Sequence, residues 1–275
     1  MKLTLTQGTV FSGIGGPELA AHAMGWKNVF HCDINEFGKR VISHYWPKSI
    51  GHGNIKETNF NIYRGRIDIL TGGFPCQPYS AAGKKLGKND DRHLWPEFAR
   101  AIREIQPRWI VGENVRGIVN WNGGLVLSEV QDDLEAEGYE VQCFLFPSAS
   151  IGAANIRERV WICAYNGSLG RKNVQDNKGS SSYEIENAKG RSSQIEWREK
   201  ETNVLDPSRN TFLQFQEMYG QPAVFNVGDE FSPELDFITI SKWYKESITA
   251  AGNAINPRAI MQIFKAIEKY EQIKI

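Results

Sequence analysis

Charge of one sign is what this chain lacks: 32 Lys and Arg residues balance 32 Asp and Glu, for a formal net charge of +0 over 275 residues. No global attraction for a polyanion follows, so any such partner must be met by local basic patches. Cysteine is scarce, with Cys32, Cys76, Cys143 and Cys163 alone. They form no CxxC pair and no metal-ligand spacing, so a reduced chain without structural zinc or another metal is expected. Long apolar runs are missing too: none approaches the ~20 residues that span a bilayer. The N-terminus has no charged stretch followed by a long apolar block, so no secretory signal is expected. A soluble, cytoplasmic protein without membrane partners is the expectation. There is no internal repeat and no GxxxxGK[ST] phosphate loop.

What is present suits an α/β fold. Apolar residues make up 41% of the chain, enough for a core, and the length allows one large domain carrying a small insert. Short apolar segments ending at Val10-Phe11, at Cys32, at Thr71 and after Val111 read as strands. Between them lie helical stretches, one with Leu19, Ala20 and Ala23 on a face and Gly25 at its end, another with Leu127, Val130 and Leu134 before Gly138. Val141 to Phe146 and Arg159 to Ala164 read as a late strand pair. Ile260, Ile263, Phe264 and Ile267 mark a closing amphipathic helix from near Pro257. The alternation predicts a doubly wound, mostly parallel sheet of Rossmann-like type. Ligands bind such sheets at the C-terminal strand ends. Composition shifts near Asn166 to Ser, Gly, Asn, Lys and Glu. Residues 1-165 and 246-275 are therefore expected to form the main domain, with 166-245 as a small inserted module, either a solvated surface insert or a reading surface.

Three strand ends carry chemistry. Phe11-Ser12-Gly13-Ile14-Gly15-Gly16 is a glycine-rich strand-to-helix turn that lets a ligand approach the backbone. Asp33 ends the next strand, roughly 20 positions on, where a ribose ligand sits in such folds; the alternative is a helix N-cap. Together they point to an adenosine-containing cofactor without separating NAD from S-adenosylmethionine. Gly72-Gly73-Phe74-Pro75-Cys76-Gln77-Pro78-Tyr79-Ser80 follows a later strand. A cysteine between proline and a polar residue, past a strand end, is a poor core position and a good one for a reactive thiolate. Cys32, Cys143 and Cys163, in apolar strands, are expected to be buried and inert.

These segments resemble the DNA cytosine-5 methyltransferase family of bacterial and phage type, over about 9 to 165 and 246 to 270. The resemblance rests on Phe11-x-Gly13-x-Gly15-Gly16, Gly73-Phe74-Pro75-Cys76-Gln77-Pro78, Glu113-Asn114-Val115, Arg157-x-Arg159 and Gly252-Asn253-Ala254 with Pro257. It implies S-adenosylmethionine as cofactor, held by Phe11, Gly13, Ile14 and Gly16, with Asp33 on the ribose and Ile34 over the adenine. Asn54 and Ile55 would lie near the adenine amino group, where the family has Asp-Ile; the Asn54 carbonyl oxygen can accept the same hydrogen bond. Gly73, Pro75, Leu94, Asn253 and Ala254 would complete the pocket.

The resemblance further implies that Cys76 adds to carbon 6 of cytosine and that Glu113 assists at N3, in a protonated or proton-sharing form. On its own residues, without Cys76 nearby in fold order, Glu113 reads rather as an N-cap or an ion-pair partner. Arg159 would lie near the cytosine carbonyl and Glu113, and Arg157 near phosphate. Asn155 stands where the family has Gln. Carbon 6 is hidden in a duplex, so the base must be flipped out. Gln77, Ser80, Lys84, Lys85 and Arg92 would then meet double-stranded DNA, Arg92 in a segment one residue shorter than the family's. Arg171 and Arg191, in the variable region, would read sequence or hold phosphate. The rivals are an RNA (tRNA) cytosine-5 methyltransferase on the same scaffold, an inactive DNA-binding relative, and a nicotinamide oxidoreductase. A monomer is expected, in a bacterial or phage-infected cell, with a cognate restriction endonuclease as a partner consistent with the resemblance.

Overall fold

The computed structural model describes residues 3–75, 94–151, 157–169 and 242–273, all within one compact unit. Seven strands form one sheet in the order β3-β2-β1-β4-β5-β7-β6. In chain order they are β1 Thr6–Val10, β2 Lys27–Cys32, β3 Ile50–His52, β4 Ile69–Gly72, β5 Trp109–Val115, β6 Glu140–Pro147 and β7 Glu158–Tyr165. The first five pair in parallel, β1 with both β2 and β4. Strand β7 runs antiparallel to β5 and to β6. The chain winds outward through β2 and β3, then returns to place β4 on the other side of β1. That reversal opens a crevice at the C-terminal ends of β1 and β4, the ligand position of doubly wound sheets.

Among the described residues there are six α-helices: α1 Gly16–Met24, α2 Glu36–Tyr45, α3 Trp95–Ile105, α4 Leu125–Ala136, α5 Lys242–Asn253 and α6 Pro257–Ile273. Strand residues alternate between the two faces. Ile69, Val111 and Trp161 pack with Ala20, Ala21 and Met24 of α1 and Ile260 and Phe264 of α6. Leu70, Ile110 and Ile162 pack with Phe98 and Ile102 of α3 and Val130 and Leu134 of α4. Full burial of Phe98 or Phe264 contributes about 1.5–3 kcal/mol each.

Local signals set the helix limits. Helix α1 begins on Gly16-Pro17 and stops at Gly25, whose left-handed backbone (φ 75°) returns its N–H to the carbonyls of Ala21 and His22. Its buried face is Ala20, Ala21 and Met24, while Leu19 and Ala23 lie on the flank. This corrects the face read from spacing, and the cause is that α1 packs on α6 as well as on the sheet. Asn256 caps α6 by accepting from Arg258 N at 2.9 Å, ahead of Pro257. Glu113 and Asn114 lie inside β5 and not past its end, because β7 pairs with them as far as Val115. Cys32 is buried, but Cys143 and Cys163 are only partly so, being on the outer strand pair. Among the described residues no helix is long and apolar enough to cross a membrane, and no His, Cys, Asp and Glu group suits a metal ion.

Candidate functional site

Four strand ends, of β1, β2, β4 and β5, and the segment before α6 meet at the crevice. After β1, Phe11 takes a left-handed backbone (φ 55°), followed by Gly13 (φ 57°) and Gly15 (φ 88°). A bulky residue at positive φ stores about 1–3 kcal/mol of strain and marks a functional turn. The Phe11 ring packs edge-on against Phe98, centroids 6.1 Å apart. Ser12 ties the turn to β2: its hydroxyl accepts from Cys32 N at 3.1 Å.

Asp33 ends β2 and faces this turn. Its Oδ2 accepts from Gly13 N at 2.7 Å and its Oδ1 from Asn35 N at 2.8 Å. The N-cap of α2 is Asn35, which accepts from Gly38 N at 3.0 Å, so capping is not the task of Asp33. A carboxylate has about four acceptor positions, and these two hydrogen bonds take only two of those of Asp33. Burial raises its pKa, against the two N–H groups and Lys39. Beside it Ile34 is 77% exposed, a large apolar side chain open to a flat ligand. Asn54 Oδ1 accepts from Lys56 N at 3.0 Å and its Nδ2 donates to Glu57 Oε1 at 2.8 Å. Ile55 is buried in the core. Ile14 is buried, and Leu94 precedes α3 half-buried, its carbonyl accepting from Phe98 N.

The end of β5 carries the acid. Glu113 is 8% exposed, and its Oε1 accepts from Arg159 Nε at 2.8 Å. Burial raises the Glu113 pKa, while Arg159 and then Arg157 oppose the rise. Its second oxygen turns towards the β4 end: a Cβ on Gly73 would lie 3.3 Å from Glu113 Oε2 and 3.2 Å from Ile255 Cδ1. Next along β5, Asn114 Nδ2 donates to the Phe74 carbonyl at 3.2 Å, fixing the Gly73-Phe74-Pro75 path. Such a carboxyl can hold or share a proton with one oxygen while the other stays paired.

Arg157 lies just before β7. Its Nη1 donates to the Gly252 carbonyl at 2.6 Å, and burial, then Arg159, lowers its pKa. The protein side of Arg157 is thus an anchor for the end of α5, where Asn253 is exposed and Ala254 half-buried. Ile255 is the residue that sequence reasoning misses. It is buried, and a Cβ on Gly16 would collide with its carbonyl oxygen. Ile255 therefore fills the gap between the glycine turn and Gly73. A single large aliphatic residue within Asn253-Ala254-Ile255-Asn256-Pro257 is the signal that marks it. Asn114 and Glu18 are likewise unassigned by sequence. Cys76, Gln77, Ser80, Lys84, Lys85, Arg92, Asn155, Arg171 and Arg191 lie outside the described residues.

Comparison with known proteins adds to this geometry. The family model described as C-5 cytosine-specific DNA methylase matches residues 6–223. The type II methyltransferase M.Eco47II of Escherichia coli is 38% identical over 132 residues, covering 47% of this chain and 32% of the relative. M.HgiCII of Herpetosiphon aurantiacus is 34% identical over 162 residues, covering 58% and 37%. The matched part thus spans about a third of these relatives' length. Among solved structures, a DNA modification methyltransferase encoded within an E. coli prophage matches 60% of this chain and 48% of its own, with a TM-score of 0.52 at 26% identity. Spodoptera frugiperda DNMT2 matches 60% and 51%, with a TM-score of 0.51 at 26% identity.

Proposed function

The chain belongs to the C-5 cytosine-specific DNA methylase family, and from that premise we propose that it moves a methyl group from S-adenosylmethionine to carbon 5 of a cytosine flipped out of duplex DNA. Carbon 5 is a weak nucleophile. Addition of the Cys76 thiolate to carbon 6 forms a C–S bond and moves electron density to carbon 5. A proton given or shared at N3 eases this addition, and Glu113 is the group for it. S-adenosylmethionine supplies an electrophilic methyl group on a sulfonium. Carbon 5 would take that methyl group as the sulfonium–methyl bond breaks and leaves a neutral thioether. The carbon 5 proton would then leave to solvent, the N3 proton would return to Glu113, and the C–S bond to Cys76 would break and restore the thiolate.

The observation that carries this reading is the division of labour at Glu113. Arg159 holds Oε1 at 2.8 Å, and Oε2 is left towards Gly73, shortly before Cys76 in the sequence. A buried carboxyl whose pKa is raised by burial, beside the start of the Pro-Cys segment, suits an acid acting on a ring nitrogen. The cofactor reading is supported by Asp33, whose spare lone pairs suit two ribose hydroxyls, by exposed Ile34, and by the open-backed glycine turn. Arg157, engaged with Gly252, would position the pocket's rear wall and meet phosphate through its remaining donors. Residues 166-245 would form the target-reading module, and 1-165 with 246-275 the catalytic domain. The type II names of the relatives accord with a paired restriction endonuclease.

A duplex of mixed sequence carrying 5-fluorocytosine tests this. Fluorine at carbon 5 cannot leave as a proton does, so turnover stalls as a covalent complex. A protein–DNA band that requires S-adenosylmethionine and vanishes in Cys76→Ser is expected. No band, with cofactor binding measured and tRNA methylated instead, would overturn the DNA reading.

A further inference from the structure

Glu18 is used by none of this chemistry, yet it is wholly buried. It stands in the first turn of α1, directly after the glycine turn, and neither carboxyl oxygen has a hydrogen-bond partner among the described residues. An orphaned buried acid is costly and calls for a task. Its surroundings are polar and continuous with the site. Thr9 Oγ1 lies 3.3 Å from Gln7 Nε2 and 3.1 Å from Thr71 Oγ1, and Gln7 Nε2 is 3.1 Å from Thr71 Oγ1. This buried ladder joins β1, which leads into the glycine turn, to β4, which leads into the Pro-Cys segment. Ser12 on the far side donates to the carbonyls of Thr9 and Cys32.

We infer that Glu18 is a positioning residue for the cofactor turn: its carboxyl group bridges the hydroxyls of Thr9 and Ser12 as the Phe11–Gly16 backbone closes on the cofactor. Donors and acceptors match. With Thr9 accepting from Gln7 and Thr71, its own proton is free for one Glu18 oxygen. Ser12 Oγ accepts from Cys32 N and keeps a lone pair for a Glu18 O–H. The bridge therefore needs the protonated acid. Burial pushes the Glu18 pKa up to about 8; its own backbone N–H and the Thr9 hydroxyl oppose this, Asp33 adds to it, and Ser12 opposes it weakly. Among the described residues, Asp33 at the end of β2 is the charged group acting on it.

The inference rests on the cofactor reading above, and one titration separates the two. S-adenosylmethionine affinity is measured by calorimetry at pH 6.5 and pH 9 for the wild type, Glu18→Gln and Glu18→Ala, with circular dichroism as the fold check. Glutamine copies the protonated acid, accepting from Thr9 and donating to Ser12. At pH 6.5 the wild type and Glu18→Gln should agree within about twofold, with Glu18→Ala about tenfold weaker. At pH 9 the wild type should fall about tenfold below Glu18→Gln. The cofactor's own amino group titrates near this range but acts equally on both proteins, so only their ratio counts. A ratio that does not change with pH, or an alanine variant that binds like the wild type, overturns the role of Glu18. A folded wild type that binds no S-adenosylmethionine at either pH overturns the cofactor reading, and this inference with it. Should Glu18→Ala not fold, the glutamine ratio alone decides.

Discussion

Arg159 Nε meets Glu113 Oε1 at 2.8 Å across the antiparallel β5–β7 pair. The pair sets two opposed influences on one carboxyl: burial favours the neutral acid, and the guanidinium favours the anion. Burial prevails, so the acid keeps its proton above the ordinary carboxylate range. Methyl transfer should therefore decline as pH rises through the Glu113 pKa. Glu113→Gln should slow transfer by about a hundredfold or more and abolish that alkaline decline, with cofactor affinity unchanged. Arg159→Ala removes the charge that lowers the Glu113 pKa, so its residual activity should decline at a higher pH. Single-turnover rates across pH measure all three. An alkaline decline that persists unchanged in Glu113→Gln would remove Glu113 from the proton step.

Asp33 accepts two backbone N–H groups and still faces the crevice. Asp33→Ala should weaken S-adenosylmethionine binding by about ten- to hundredfold, the worth of one or two charge-assisted hydrogen bonds. Burial raises its pKa, and protonation removes acceptors, so wild-type affinity should be full at neutral pH and fall as the solution is acidified through that raised pKa. Calorimetric titration checks both the loss and its direction. Unchanged affinity in Asp33→Ala would leave Asp33 a role in tying the turn alone.

Much of this was legible in the sequence, and for identifiable reasons. The ends of β2 at Cys32 and of β4 at Gly72 show because apolar runs stop at polar or glycine residues, whereas β5 runs past Glu113 to Val115 because β7 pairs with it. The closing helix shows because Ile260, Ile263, Phe264 and Ile267 keep helical spacing. Strand β3 is three residues long and half-exposed, too short for any period to register. Helix α3 opens on Trp95-Pro96, and sequence reasoning passes over it although Trp95, Phe98, Ile102 and Ile105 keep helical spacing. The long-range contacts are invisible to local pattern: Arg157 looks like a solvated or phosphate-binding arginine until its Nη1 is seen on Gly252, far along the chain. Ile255 and Glu18 act through tertiary neighbours, which spacing does not encode.

Glu271 anchors the closing helix. Its Oε1 accepts from Arg108 Nη2 at 2.9 Å and from Trp109 Nε1 at 2.8 Å, and the residue is 2% exposed. Glu271→Ala leaves a largely buried guanidinium and an indole N–H without this acceptor, a loss of about 3–5 kcal/mol by the cost of breaking buried pairs. Urea unfolding should register it as a lower midpoint. The cofactor pocket should loosen with it, because Ile255 lies two residues before α6. A midpoint within error of the wild type would mean that water takes over the lost bonds.

Gly13 and Gly16 lie in one turn but exclude a side chain for different reasons. Gly13 has φ 57° with nothing within 4 Å of an added Cβ, so Gly13→Ala carries backbone strain alone, about 1–2 kcal/mol. At Gly16 the obstacle is the carbonyl oxygen of Ile255, and overpacking there should cost about 1–3 kcal/mol by pushing the 253–257 segment away. The two variants should therefore differ in kind. Gly13→Ala should lower stability with a modest change in cofactor affinity, whereas Gly16→Ala should also detach the wall between the glycine turn and Gly73 and lose methyl transfer. Because the clash is with backbone, shortening Ile255 to Val or Ala should not rescue Gly16→Ala. Rescue by Ile255→Ala would show that the side chain, and not the carbonyl, sets the approach of the two segments.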